Sequence, residues 1–156
     1  MTTTADAPAD LLELSHARRL AVAELVTEML ATERELATLY GGFAVRSRLD
    51  SLRTVLAELA QEKTAHVSAL EPLARAFHAV APSIRTGRGE VREEPVDARP
   101  GAEFSLAFRG ERALEVGYRE LGSLLGDPTL LPVLPGLAAD AARHQARLRA
   151  IYLRYS

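Results

Sequence analysis

Cysteine is absent from the 156 residues of this chain. That absence removes disulfides, thiol nucleophiles, iron–sulfur clusters and cysteine-ligated zinc together, so any metal would have to be held by His, Asp or Glu. No apolar run approaches the roughly 20 residues that a membrane span needs. Charge of one sign is not in excess either. Nineteen Lys and Arg stand against 21 Asp and Glu, a formal net charge of −2, which gives no general attraction to nucleic acid or to an anionic membrane. No stretch alternates apolar with polar residues, so strands are not expected. The opening MTTTADAPAD lacks the basic and apolar regions of a secretory leader. It reads as a frayed tail over residues 1–9, and a cytoplasmic location is the matching expectation.

What the chain does have is Ala, Leu, Glu and Arg, the strong helix formers. Val22, Val26, Met29, Leu30, Leu36, Tyr40 and Phe43 recur at steps of three and four, one face of a helix expected from near Asp10 to about Val45. Gly41 and Gly42 weaken its last turn without ending it. After a joint at RSRLD, a second face carries Leu52, Val55, Leu56, Leu59, His66, Leu70, Leu73 and Phe77, ending near Val80 ahead of Pro82. Residues 81–101 hold three Pro, three Gly and many charges, a long connection without apolar period. Within it, the GRGE at 87–90 has no helix-opening context for phosphate. A third helix is expected over 102–125. Asp127 is placed to cap a fourth, with Pro128 at its first position; Pro132 and Pro135 delay its regular part to about 137–155. The expected fold is all-α: one domain over 10–156, an antiparallel four-helix bundle with a long crossover between its second and third helices.

The chain also says one thing twice. ERELATLY at 33–40 and ERALEVGY at 111–118 begin 78 positions apart, and the same shift aligns residues 33–73 with 111–151 without a gap. Pseudo-repeats therefore cover about 22–79 and 102–155. Most coincidences are apolar face positions that any two similar helices share. Glu33 with Glu111, Tyr40 with Tyr118, and His66 with His144 are not. Each of these acids and imidazoles shares a face with apolar residues, so four ionisable side chains, one from each helix, point at one core. A buried carboxylate without a partner is costly. Such a set is satisfied by a shared metal or by an ionic network.

On these residues the chain resembles the ferritin-like superfamily, and within it the rubrerythrin-like diiron proteins. There the first and third helices each give a Glu, and the second and fourth each give Glu-x-x-His; a Tyr seven residues after the first-helix Glu is also typical. ERELATLY and ERALEVGY match the Glu-to-Tyr elements, and LAQEKTAH and LAADAARH match the framing of the His elements. The resemblance spans about 22–155 and implies an iron- or manganese-binding bundle, with redox or oxygen and peroxide handling and an electron donor supplied from elsewhere. The chain departs from the family three residues before each His, where Lys63 and Ala141 stand in place of Glu. The acids are one position earlier, at Glu62 and Asp140.

Two alternatives stay open at this level. In one, Glu33, Glu62, His66, Glu111, Asp140 and His144 form a two-metal site, or Glu33, His66, Glu111 and His144 alone hold one ion. In the other no metal is bound, and Lys63 supplies positive charge between Glu33 and Glu111, helped by Arg34 or Arg112. The bundle then has a structural, interaction or stress role. Tyr40 and Tyr118 are either donors to the carboxylates or core fillers satisfied locally. His16 and His78 read as surface or capping residues, and the Arg-rich C-terminal helix as complementing its own dipole rather than touching nucleic acid. Pairing into a homodimer through a spare apolar stripe is the one partner this architecture suggests.

Overall fold

The computed structural model describes residues 14–80, 101–126 and 132–155. Four helices make up nearly all of this: α1 (His16–Arg46), α2 (Asp50–Val80), α3 (Ala102–Leu125) and α4 (Leu134–Tyr155). No strand occurs among the described residues, and no helix is long and apolar enough to cross a membrane. The tail at 1–9, the connection at 81–100, the cap at Asp127 and the side chain of His78 lie outside the described residues.

Helix α1 starts later than the apolar period suggests. Ser15, not a residue near Asp10, is its N-cap, and the Ser15 hydroxyl accepts from the Arg18 N–H at 3.3 Å. A serine that captures a free first-turn donor ends the search for a start site. His16, the first helical residue, is exposed as expected. Helix α4 begins earlier than expected, at Leu134. Pro135 then falls in the first turn, where its missing N–H costs no intrahelical bond. Pro72 lies inside α2 without ending it.

Side-chain pairs across the bundle fix its polarity. Three residues join α1 to α2, which makes them antiparallel neighbours. Glu33 and Tyr40 of α1 meet Tyr118 and Glu111 of α3 in reversed order, and Ser51 and Glu62 of α2 meet Tyr155 and Arg143 of α4 in reversed order. Helices α1 and α4 thus point one way, α2 and α3 the other. The end of α2 and the start of α3 lie at opposite ends of the bundle, the polarity of two hairpins related by a crossover. Helices α1–α2, α3–α4 and α1–α3 pack closely, whereas the backbones of α2 and α4 stand farther apart and are joined by polar side chains. That gap positions the site.

Close packing of α1 on α3 depends on two glycines. A Cβ at Gly110 would fall 3.0 Å from a methyl of Leu36, and one at Gly117 would fall 2.9 Å from the Met29 sulfur. Leu36 is branched and buried, while the Met29 thioether can turn aside. Gly110→Ala should therefore lose about 1 kcal/mol in a urea titration, overpacking of roughly 1–3 kcal/mol outweighing the better helix propensity of Ala. Gly117→Ala should be closer to neutral.

Candidate functional site: a lysine-centred ionic core

Every ionisable residue that the repeat singled out meets its counterparts inside the bundle. Glu33, Lys63, Glu111 and His144 are fully buried and His66 nearly so. They sit among Leu59, Leu70, Leu114, Leu137 and Leu148, so each charge has left water and depends on its neighbours.

Lys63 stands at the centre. Its Nζ donates to Glu111 Oε2 at 2.7 Å and lies 3.2 Å from Glu33 Oε2. The other carboxylate oxygens take the tyrosines of the opposite half. Tyr40 donates to Glu111 Oε1 at 2.8 Å, and Tyr118 donates to Glu33 Oε1 at 2.6 Å. Burial pushes both tyrosine hydroxyls far up, and the carboxylates they face add to it, so they remain proton donors at any ordinary pH. Burial alone would raise Glu33, but His66, Lys63 and Tyr118 together hold it below the usual carboxylate range.

The imidazoles link this centre to the gap between α2 and α4. His66 places Nδ1 3.2 Å from Glu33 Oε1 and Nε2 2.8 Å from Asp140 Oδ2. A carboxylate only accepts, so a ring with a carboxylate at each nitrogen donates from both and is an imidazolium. Burial works against that charge, yet Glu33 and Asp140 outweigh it and the His66 pKa is raised. His144 is placed similarly but is bonded at one nitrogen only: Nε2 is 2.5 Å from Glu62 Oε2, whereas Nδ1, 3.2 Å from Glu111 Oε1, is out of hydrogen-bonding geometry. The two rings stack with centroids 5.9 Å apart. Each acid of the shifted pair, Glu62 and Asp140, thus serves the histidine of the other helix rather than its own. Arg143 binds both acids, Glu62 at 2.7 Å and Asp140 at 3.1 Å. Slight burial would raise the two acids, but Arg143 and the histidines leave both lowered.

Arg143 was not anticipated, and the repeat could not point to it, because its counterpart 78 positions earlier is Ala65. Arg34 and Arg112, expected to help Lys63, do not. Arg34 is on the surface, paired with Glu71 at 2.8 Å, and Arg112 is exposed. Both follow their glutamate by one position, about 100° around the helix, which turns them away from the core.

Donor chemistry alone would suit iron or manganese, since carboxylates and imidazoles are their usual ligands. The arrangement does not fit one. Among the described residues no group of three or more such donors is placed to hold an ion. The Lys63 ammonium fills the position between Glu33 and Glu111, and both His Nε2 atoms are engaged by carboxylates.

The tyrosines permit a test of how finely the network is balanced. Glu33 Oε1 keeps His66 if Tyr118 is lost, but Glu111 Oε1 keeps only His144 Nδ1, which is out of hydrogen-bonding geometry. Tyr40→Phe should therefore cost more than Tyr118→Phe, about 2–3 against about 1–2 kcal/mol by chemical denaturation.

No family model matches the chain, and neither a curated protein nor a solved structure matches it.

Proposed function

We propose that the chain is a ferritin-like helical bundle that works without a metal, a structural or interaction protein whose interior is closed by ion pairs. The observation that carries this reading is the fully buried Lys63 ammonium between Glu33 and Glu111. It supplies there the positive charge that a metal centre would supply, and it offers a metal no lone pair. Its function then lies on the outer faces, where Leu106 and Val116 of α3 and Tyr152 and Leu153 of α4 are exposed. Large apolar side chains left in water are what a partner would cover.

A second reading keeps iron or manganese and a redox or peroxide-handling role. It is supported by two buried atoms, Glu33 Oε2 and His144 Nδ1, that have no hydrogen-bond partner. The two readings separate in one measurement. Protein expressed with iron and manganese in the medium and purified without chelator should carry far less than one ion per chain, and EDTA should leave its thermal midpoint unchanged. A stoichiometric ion, with a midpoint that falls on chelation, would establish the second reading instead.

A further inference from the structure

We infer that Lys63 is the residue that excludes divalent cations from this interior, and that the donors around it form a latent metal site which one substitution opens. The inference rests on the metal-independent reading above and adds to it a cause located at a single side chain.

The first argument is where the internal symmetry fails. Glu33, Tyr40 and His66 have their counterparts in Glu111, Tyr118 and His144, and the acids Glu62 and Asp140 correspond as well. Lys63 does not: its counterpart is Ala141, equally buried at 1% exposure. One long side chain reaches both central carboxylates, and the matching position of the other half carries only a methyl group. A second lysine would crowd the same volume with a second charge. The departure from symmetry is thus one cation on one side, and the acids and imidazoles around it keep their counterparts.

The second argument is that the ammonium fits its site imperfectly. Nζ is well placed for Glu111 Oε2 at 2.7 Å, but it meets Glu33 Oε2 at 3.2 Å outside hydrogen-bonding geometry. Glu33 Oε2, 3.2 Å from Lys63 Nζ, and His144 Nδ1, 3.2 Å from Glu111 Oε1, therefore make no hydrogen bond, both on fully buried side chains. Buried polar atoms that make no hydrogen bond are rare in a settled core. An oxygen of a carboxylate and a nitrogen of an imidazole, both facing the same interior, are lone pairs that a divalent first-row ion accepts. An ammonium has directional N–H bonds and one charge, so it reaches only part of that set.

The third argument is that the block is permanent in the folded protein. Lys63 is wholly buried. A dication entering beside it would meet a like charge in a poorly solvated interior, and Lys63 has no solvent to withdraw into. Removing the ammonium takes away both the repulsion and the bulk. Lys63→Glu goes further, since it puts a carboxylate three residues before His66, on the same side of α2.

The full-length wild type, Lys63→Glu and Lys63→Ala are to be titrated with Co²⁺, reading visible absorption and the thermal midpoint, with helicity measured by circular dichroism. Both variants should bind Co²⁺ at least about a hundredfold more tightly than wild type, and their midpoints should rise with cobalt while that of wild type stays fixed. Adding His144→Leu to Lys63→Glu should abolish the spectrum. A variant that becomes helical only when cobalt is added supports the inference, because the ion then supplies the missing charge. Folded variants that bind no better than wild type overturn it, as do variants that stay unfolded with cobalt present. Those two results leave the metal-independent reading standing. Wild type binding Co²⁺ as tightly as the variants would overturn both.

Discussion

Replacing Lys63 by methionine should lower the thermal midpoint of chelated protein by on the order of 10 °C. The side chain keeps nearly the same length, so little packing is lost. What is lost is the cation held between Glu33 and Glu111, at 3.2 and 2.7 Å. Breaking a buried pair by removing one partner costs about 3–5 kcal/mol, because the remaining charge stays buried and unpaired. For a chain of this size each kcal/mol moves the midpoint by roughly 2–4 °C. The same argument specifies a rescue. Lys63→Met combined with Glu33→Gln and Glu111→Gln should recover most of the loss. The charges are then gone, while the amide oxygens still accept from Tyr118 and Tyr40. A single variant as stable as wild type would mean that Lys63 does not hold this position. A triple variant no better than the single would mean that its role is packing and not charge.

Much of this core was legible before any coordinates. The gapless shift of 78 residues placed Glu33, His66, Glu111 and His144 on matching apolar faces, and a buried face at helical period is where sequence reads most directly into position. Lys63 could be assigned to the core for the same reason. The pairing among these groups could not be read. Four residues separate Glu62 from His66 and Asp140 from His144, which puts each acid on the same side of its helix as that helix's own histidine. The acids instead cross the gap between α2 and α4, Glu62 to His144 and Asp140 to His66. The offset of one position turns each acid toward the opposite helix, and which histidine it meets depends on the spacing of two helices whose backbones stand apart. Helix starts were missed for a local reason. The apolar period runs on through Ser15 and begins late after Pro135, whereas the chain responds to a cap and to a tolerated first-turn proline.

Stability should peak in mildly acidic solution and fall on both sides, with the alkaline fall belonging to His66. Its folded pKa is raised above the unfolded value near 6.5. Its contribution is therefore complete below about pH 6.5 and is lost as pH climbs through the raised value. The groups facing it are Glu33, Lys63, Asp140 and the stacked His144 ring, with Arg143 on the far side of Asp140. Of these, only the carboxylates favour its charge. Glu33, Glu62 and Asp140 have the opposite sign. Their folded values are lowered, so their contribution is complete above the unfolded carboxylate value near 4 and is lost as pH falls through the depressed ones. Urea denaturation from pH 3 to pH 9 should trace this dome. His66→Gln should cost about 1.5–3 kcal/mol near pH 5.5, the worth of hydrogen bonds to charged groups, and progressively less toward pH 9, so that its alkaline limb flattens. A wild-type profile flat from pH 6 to pH 9, or a His66→Gln penalty independent of pH, would show that the ring is neutral in the fold. The double donation from His66 to Glu33 and Asp140 would then have to be abandoned.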